Sequence, residues 1–280
     1  MAIAHRPRSF AEALRIRAEE GAMPFAGGTD LMVRYKRPLG VAPQFGKPVL
    51  LLGHLDEIRG IRIESGSVRI GAGTTLTEIL KSDIAPEVLR SAIAQMASIG
   101  TRNIATIGGN ICNASPAGDT LPPLYAMDAT LVLESIRGER ALPIEKFIVG
   151  PSKTTLGQDE LLREIVIPII DYNKMTYKKS GTRRATALSK LSFIGLAKID
   201  DKKIADIRIA FGAVAPTVVR SREIEKALVG SDFKNLSELI PWAIERYSEL
   251  IRPIDDQRST AEYRKESCLR LLKTFLKEIL

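Results

Sequence analysis

Two short stretches of this 280-residue chain hold residue types that could do chemistry. "MPFAGGTDLMVRYK" (23–36) sets Ala26, Gly27, Gly28, Thr29, Asp30 and Leu31 between an apolar entry and a helix-like run. "TIGGNICNASPAGDTLPP" (106–123) repeats the theme with Thr106, Ile107, Gly108, Gly109 and Asn110. Successive backbone N–H groups turned into one concavity bind anions, and a helix N-terminus adds partial positive charge. Glycine lets a ligand approach the backbone directly and tolerates positive φ. The plainer reading makes each glycine pair a tight turn; two pairs, each followed by polar capping residues, weaken that reading and keep an anion site open beside it. Neither matches the dinucleotide fingerprint or the P-loop, and "GAGTT" (71–75) reads as a turn. Asp119 reads either as the N-cap of a helix over "TLPPLYAMDA" or as an acceptor for two hydroxyls of a sugar. Both readings stay open.

Other chemistries find little support. Two cysteines, Cys112 and Cys268, supply neither a disulfide framework, a zinc site nor an iron–sulfur cluster, which normally takes four protein ligands. With only His5 and His54, a histidine metal site is not expected, and no nucleophile or general acid–base constellation is visible. No run of about 18 apolar residues marks a membrane span, and no secretory signal is recognisable, so a cytoplasmic protein is expected. The net charge is +8: residues 171–280 hold 22 Lys+Arg against 15 Asp+Glu (22 − 15 = +7), leaving 19 against 18 in residues 1–170 (+1). Aromatics are 5% and do not interleave with the basic residues, which offers no signature for nucleic acid.

The elements that must position these stretches are partly legible. Ser9 and Glu12 read as a capping box opening a helix over 10–20 that stops at Gly21. "MPFAG" reads as a strand entering the first glycine pair, with Thr29 or Asp30 capping a helix over "LMVRYK". A buried strand is expected at 47–53 and a hairpin at 60–73 turning at Ser65-Gly66. "PEVLRSAIAQMASIG" (86–100) predicts a helix carrying Met96 and Ile99 on its apolar side and ending at Gly100. Residues 101–120 read as a loop, long enough to be functional. "LYAMDA" predicts a short helix and "TLVLES" a strand. After Ile170 the texture changes, with "DYNKMTYKKSGTRRATAL" basic and irregular, then a strand at "ADIRIAFGAVAP", and helices over "NLSELIPWAIERYSELI" and "STAEYRKESCLRLLKTFLKEIL", the last opened by Ser259 and Glu262.

The glycine stretches, with "TYKKSGTRRATALSKLS" (176–192) and "RSTAEYRKESCLRLL" (258–272), resemble the FAD-binding subunit of the molybdenum hydroxylases. That group includes xanthine dehydrogenase and the medium subunit of aerobic carbon monoxide dehydrogenase. The likeness spans almost the whole chain. It implies an α+β protein with a two-subdomain FAD-binding fold of the vanillyl-alcohol-oxidase-like (PCMH) type at 1–54 and 55–170. A C-terminal α+β domain of the CO dehydrogenase flavoprotein type would follow at 171–280. By resemblance, the backbone of Ala26–Leu31 holds the FAD pyrophosphate and Thr106–Asn110 forms the second FAD loop. Asp119 meets ribose or ribityl hydroxyls, Leu162 offers a backbone contact to the adenine side, and Lys179, or neighbouring Lys178, approaches the flavin ring. Met96 sits where some relatives have an aromatic. "FAGGTD" lacks His, Cys and Tyr, so dissociable FAD is expected.

The resemblance further implies a heterotrimeric unit. Electrons would come from molybdopterin on a large subunit through [2Fe–2S] clusters on a small one, and leave for NAD, a quinone, ferredoxin or oxygen. Two cysteines exclude the family variant with an extra four-iron cluster. Two other readings remain: a free-standing FAD-dependent reductase of the same fold, for which no proton donor is placed, and a non-enzymatic nucleotide- or nucleic-acid-binding module.

Overall fold

The computed structural model describes residues 3–183 and 186–279; Arg184 and Ala185, inside the basic stretch quoted above, lie outside the described residues. In chain order the first half runs β1 (Ala4–His5), α1 (Phe10–Glu20), β2 (Met23–Phe25), α2 (Leu31–Arg34), β3 (Val49–Leu51), β4 (Ile61–Glu64), β5 (Ser67–Gly71), α3 (Leu76–Lys81), α4 (Glu87–Ala94), α5 (Ile99–Arg102), α6 (Ile107–Asn113) and α7 (Leu121–Ala126). It continues with β6 (Thr130–Ser135), β7 (Gly138–Pro143), α8 (Ile144–Phe147), β8 (Ile148–Gly150), β9 (Lys153–Thr154) and β10 (Leu161–Pro168). The remainder is β11 (Lys174–Gly181), β12 (Ser189–Asp200), β13 (Lys203–Gly212), α9 (Arg222–Leu228), α10 (Phe233–Leu250) and α11 (Ala261–Glu278).

These elements divide into two compact units. The first holds Met1–Ala85, Ala97–Ala114 and Ala129–Pro168; the second holds Pro86–Met96, Ser115–Asp128 and Ile169–Leu280. The stretch 106–123 therefore belongs to the first unit up to Ala114 and to the second from Ser115 on.

In the first unit, β3 lies between β1 and β2 and is parallel to both. Helix α1 covers this small sheet because Phe10, Ala13, Leu14 and Ile16 recur on one face and pack with Leu50, Leu52, Leu55 and Ile58. Ser9 caps it, accepting from the Glu12 N–H at 3.1 Å, and Gly21 ends it in the left-handed region. The expected capping box is only half made: Glu12 accepts from the Arg8 N–H at 2.6 Å, one residue before the cap. A five-stranded antiparallel sheet, in the order β4-β5-β10-β6-β7, completes the unit. Its β4–β5 hairpin turns where expected, with Ser65 and Gly66 both at positive φ, the combination a two-residue hairpin loop of matching twist needs.

In the second unit, β11, β12 and β13 form an antiparallel sheet. Helices α9 to α11 bury their apolar stripes on it, and Phe193, Phe211, Phe275 and Tyr247 meet ring to ring at centroid distances of 5.2–5.7 Å. Helix α7 packs on β12 and β13, and α4 on β11. Asp128, just past α7, takes Arg208, Arg220 and Arg222 at 2.6–2.7 Å and so ties α7 to the sheet edge and to α9.

Several expectations need correction. The helix expected over 86–100 stops at Ala94; Ala97 takes a positive φ, and a new turn, α5, starts at Ile99, which is 70% exposed. The supposed loop 101–120 contains helices α5 and α6, so "TIGGN" opens a helix. The basic stretch after 171 contains β11, Lys174–Gly181, an edge strand that periodicity does not reveal. The last helix is capped by Thr260, whose hydroxyl accepts from Tyr263, one residue later than the Ser259–Glu262 pairing suggests. No described helix is long and apolar enough to cross a membrane.

Candidate functional site

The first glycine stretch leaves the carboxyl end of β2. In open parallel sheets, ligands bind outside the carboxyl ends of the strands. Beyond Phe25 the chain turns through Gly27 and Gly28 into the single turn of α2. Among the described residues, the backbone N–H groups of Gly27, Gly28, Thr29, Asp30 and Leu31 make no hydrogen bond, while the next one, Met32, donates to the Gly28 carbonyl at 2.9 Å. Gly27, Gly28, Thr29 and Leu31 are half-buried and Asp30 is exposed, so this row leaves five adjacent backbone donors open to an acceptor. The expected helix over "LMVRYK" is shorter than anticipated, and Asp30 makes no side-chain cap. Asp30 instead lies 3.3 Å from Arg34, whose guanidinium also donates to Asn113 at 2.7 Å. Beneath the loop, Phe45 packs against Phe25 (6.2 Å) and Tyr35 (5.2 Å).

The glycines are dictated by contact. A Cβ on Gly27 would stand 1.9 Å from the Ile104 carbonyl oxygen, so the loop lies directly on backbone 104–105. Gly28 has φ +68, and its Cβ would meet the Phe25 ring at 2.1 Å. The two glycine stretches are thus neighbours within the first unit.

The second stretch is built differently. Thr106 is the N-cap of α6, accepting from the Gly109 N–H at 3.1 Å. The Ile107 N–H goes to the Thr74 carbonyl (3.1 Å), Gly108 to Ala72 (2.9 Å) and Asn110 to Thr106 (3.1 Å). All four N–H groups that could face an anion are therefore engaged, two of them with the cap residue Thr106 and two with the segment 72–75. That segment is more than a turn: Thr75 caps α3 in a complete capping box with Glu78 and bridges to Thr106. Gly108 is needed because its Cβ would come within 2.7 Å of the Ala72 carbonyl oxygen; Gly109 is exposed and would meet only the Thr106 hydroxyl, at 3.0 Å. Leu162, also in the first unit, is buried in β10 beside a bulge that shifts its pairing with β6.

The remaining candidates lie in the second unit. Lys179, on β11, reaches Asp119 Oδ2 at 2.7 Å and the Gln95 carbonyl at 3.0 Å. Both charged side chains are 7% exposed. The Ser189 hydroxyl donates to the other oxygen of Asp119. Burial pushes the Asp119 carboxyl upward, against the pull of the Lys179 ammonium and the Ser189 hydroxyl. Removing one member of such a buried pair typically costs about 3–5 kcal/mol, because it strands the other. Asp119 is not the cap of α7: Thr120 holds that position and makes no side-chain cap. Lys178, next along the strand, is exposed, which separates it from Lys179. Met96 is buried just past α4.

Sequence reasoning missed Tyr177, two residues before Lys179 on the same strand face. Its hydroxyl is buried with no hydrogen-bond partner among the described residues, and burial together with the nearby Asp119 charge raises its pKa. Period-two alternation from Lys179 would have found it, had the segment been read as a strand.

A family description, "FAD binding domain in molybdopterin dehydrogenase", matches residues 2–170, and "CO dehydrogenase flavoprotein C-terminal domain" matches residues 175–279. The chain is 31% identical over 278 residues to the glyceraldehyde dehydrogenase medium chain of Sulfolobus acidocaldarius, covering 98% of this chain and 96% of the relative. It is 31% identical to the xanthine dehydrogenase FAD-binding subunit of Escherichia coli O157:H7, covering 99% and 94%. Among solved structures, a chain of the carbon monoxide dehydrogenase from Hydrogenophaga pseudoflava superposes with a TM-score of 0.88 at 27% identity, over 98% of this chain and 95% of that one.

Proposed function

We propose a function from one premise: this chain belongs to the family of FAD-binding domains of molybdopterin dehydrogenases, here followed by a CO dehydrogenase flavoprotein C-terminal domain. It is an oxidoreductase subunit that binds FAD. In our reading it is the electron-transfer subunit of a heterotrimeric unit, working beside a molybdopterin-binding large subunit and a small subunit with [2Fe–2S] clusters. FAD, when bound, supplies the redox chemistry, taking electrons from the clusters and passing them to NAD or another external acceptor.

The observation that carries the reading is the row of five unpaired N–H groups at Gly27–Leu31, at the carboxyl end of a parallel strand and seated on backbone 104–105. A diphosphate needs several convergent donors that require no reorganisation, and this row supplies them. The second stretch contributes differently: the bare exposed face of Gly109 and the side chain of Asn110 give contact surface, and α6 holds the seat of the first loop in place. Leu162, in the first unit, is the residue we assign by its place in the family pattern to a further FAD contact. Lys179 is the residue we assign to the flavin end; among the described residues its ammonium makes two hydrogen bonds, to Asp119 and the Gln95 carbonyl.

The test is to titrate the purified full chain with FAD and with FMN, following flavin fluorescence and absorbance. We expect one equivalent of FAD, released by acid precipitation, with FMN at least about 100-fold weaker because it lacks the diphosphate (about 2.7 kcal/mol at RT ln 100). Equal affinity for the two, or a colourless protein, would refute the reading. Copurification with a molybdopterin subunit and a two-cluster subunit when the three are co-expressed tests the assembly, and its absence would favour a free-standing reductase.

A further inference from the structure

The reading above leaves the buried pair Asp119–Lys179 unexplained, because both oxygens of Asp119 are already bonded. Oδ2 accepts from Lys179 at 2.7 Å and Oδ1 from the Ser189 hydroxyl. The Asp119 side chain is buried. A group so enclosed is poorly placed to take two further hydrogen bonds from sugar hydroxyls. Lys179 has a second anchor in the Gln95 carbonyl, so two of its three N–H bonds are directed and the ammonium has a fixed position. The unpaired hydroxyl of Tyr177 lies on the same face of β11 and near the same carboxylate.

We propose that Asp119 is a positioning residue that acts through Lys179: it fixes the ammonium, offsets part of its charge, and thereby sets how strongly Lys179 favours reduced FAD. This rests on the proposed FAD reading and deepens it. The physics is a balance of fields. A lysine near the flavin favours the more negative, reduced cofactor, and an adjacent carboxylate subtracts from that effect. Neutralising Asp119 while keeping its shape must then strengthen the action of Lys179. Where Lys179 is absent, burial favours the neutral form of Asp119, so neutralising it by substitution changes no charge.

The experiment uses the full chain with FAD bound, measuring the midpoint potential of bound FAD and the FAD Kd. The proteins are wild type, Asp119→Asn, Lys179→Met and the double variant. Asp119→Asn is expected to shift the ratio of reduced to oxidised FAD about tenfold toward reduced at a fixed potential, about 30 mV upward for a two-electron couple. Its Kd for FAD should stay within about twofold of wild type. Lys179→Met should lower the potential, and adding Asp119→Asn to it should change nothing. Asp119→Glu, which keeps the charge, should return the potential toward wild type. An unmoved or lowered potential in Asp119→Asn overturns the inference, as does the same upward shift in the absence of Lys179. A Kd raised tenfold or more by Asp119→Asn also overturns it, since that would mark a direct acceptor for FAD hydroxyls. If Asp119→Asn does not fold, Ser189→Ala takes its place; it loosens the pair without removing a charge and should give a smaller upward shift that vanishes when combined with Lys179→Met. Wild-type protein that holds no FAD overturns the functional reading and this inference with it. Wild type that holds FAD while the variants behave otherwise than stated overturns the inference alone.

Discussion

The two glycine pairs of the first unit look alike in sequence and are opposite in construction. At Gly27-Gly28 the backbone donors are left without acceptors, and the glycines are demanded by what presses on them: the Ile104 carbonyl on one side and the Phe25 ring on the other. At Gly108-Gly109 the donors are all engaged, and only Gly108 is demanded by contact. One pair leaves its backbone donors open, where we propose the ligand binds; the other builds the support against which the first is pressed. A Gly-Gly dipeptide is therefore not in itself an anion site. What decides is whether the surrounding chain supplies acceptors for its N–H groups.

That contrast can be broken or sharpened by substitution, and the largest effect is expected where the pairs meet. Gly27→Ala drives a methyl into a backbone carbonyl, which no side-chain rotation relieves; we expect a stability loss of about 3 kcal/mol in chemical denaturation, with FAD no longer retained on gel filtration. Gly108→Ala meets the Ala72 backbone less severely and should cost about 2 kcal/mol. The affinity of its folded fraction for FAD should remain close to wild type, since its N–H is turned inward to Ala72. Gly109→Ala should do the reverse, leaving stability within about 1 kcal/mol of wild type while weakening FAD about tenfold, or 1.4 kcal/mol, by placing a methyl on an exposed face. If Gly108→Ala and Gly109→Ala instead behave alike, the distinction between support and contact surface fails.

Smaller effects follow from the caps that hold the second stretch. Thr106→Ala removes the acceptor of the Gly109 N–H and should cost about 1 kcal/mol, seen as a lowered denaturation midpoint with an unchanged slope. The smallest concerns Glu78, which completes the capping box of α3 beside the Thr75–Thr106 bridge. Burial pushes its carboxyl upward, but the Thr75 hydroxyl and N–H and the Arg59 guanidinium outweigh this and hold it below the ordinary range. A depressed carboxyl contributes stability that is full above its unfolded pKa, about 4.3, and is lost as pH falls through the lower folded value. Stability measured from pH 6 down to pH 3 should thus fall less steeply in Glu78→Gln than in wild type; identical acid limbs would remove the carboxylate from the account.

What the amino-acid order settled by itself was local or motif-borne. Ser9 before an amphipathic run and Gly21 after it set the bounds of α1, and Ser65-Gly66 placed the β4–β5 turn, because capping and turn geometry depend on neighbours within a few residues. The glycine motifs were enough to place the chain beside its family. What only the folded chain decided was non-local. The strand at β11 was hidden because adjacent Lys178 and Lys179 fall on opposite faces of an edge strand and break the alternation, and the helix at α6 because two glycines at its start weaken helix propensity that tertiary bonds to the Ala72 and Thr74 carbonyls offset. Asp119 could be read as a cap, since that needs only its own neighbours; its pairing with Lys179, 60 positions away, is a matter of sheet packing. Likewise, the Gly109 N–H is engaged by its local cap Thr106, but the Gly108 N–H by the Ala72 carbonyl 36 residues away, and no local rule of spacing carries that second bond.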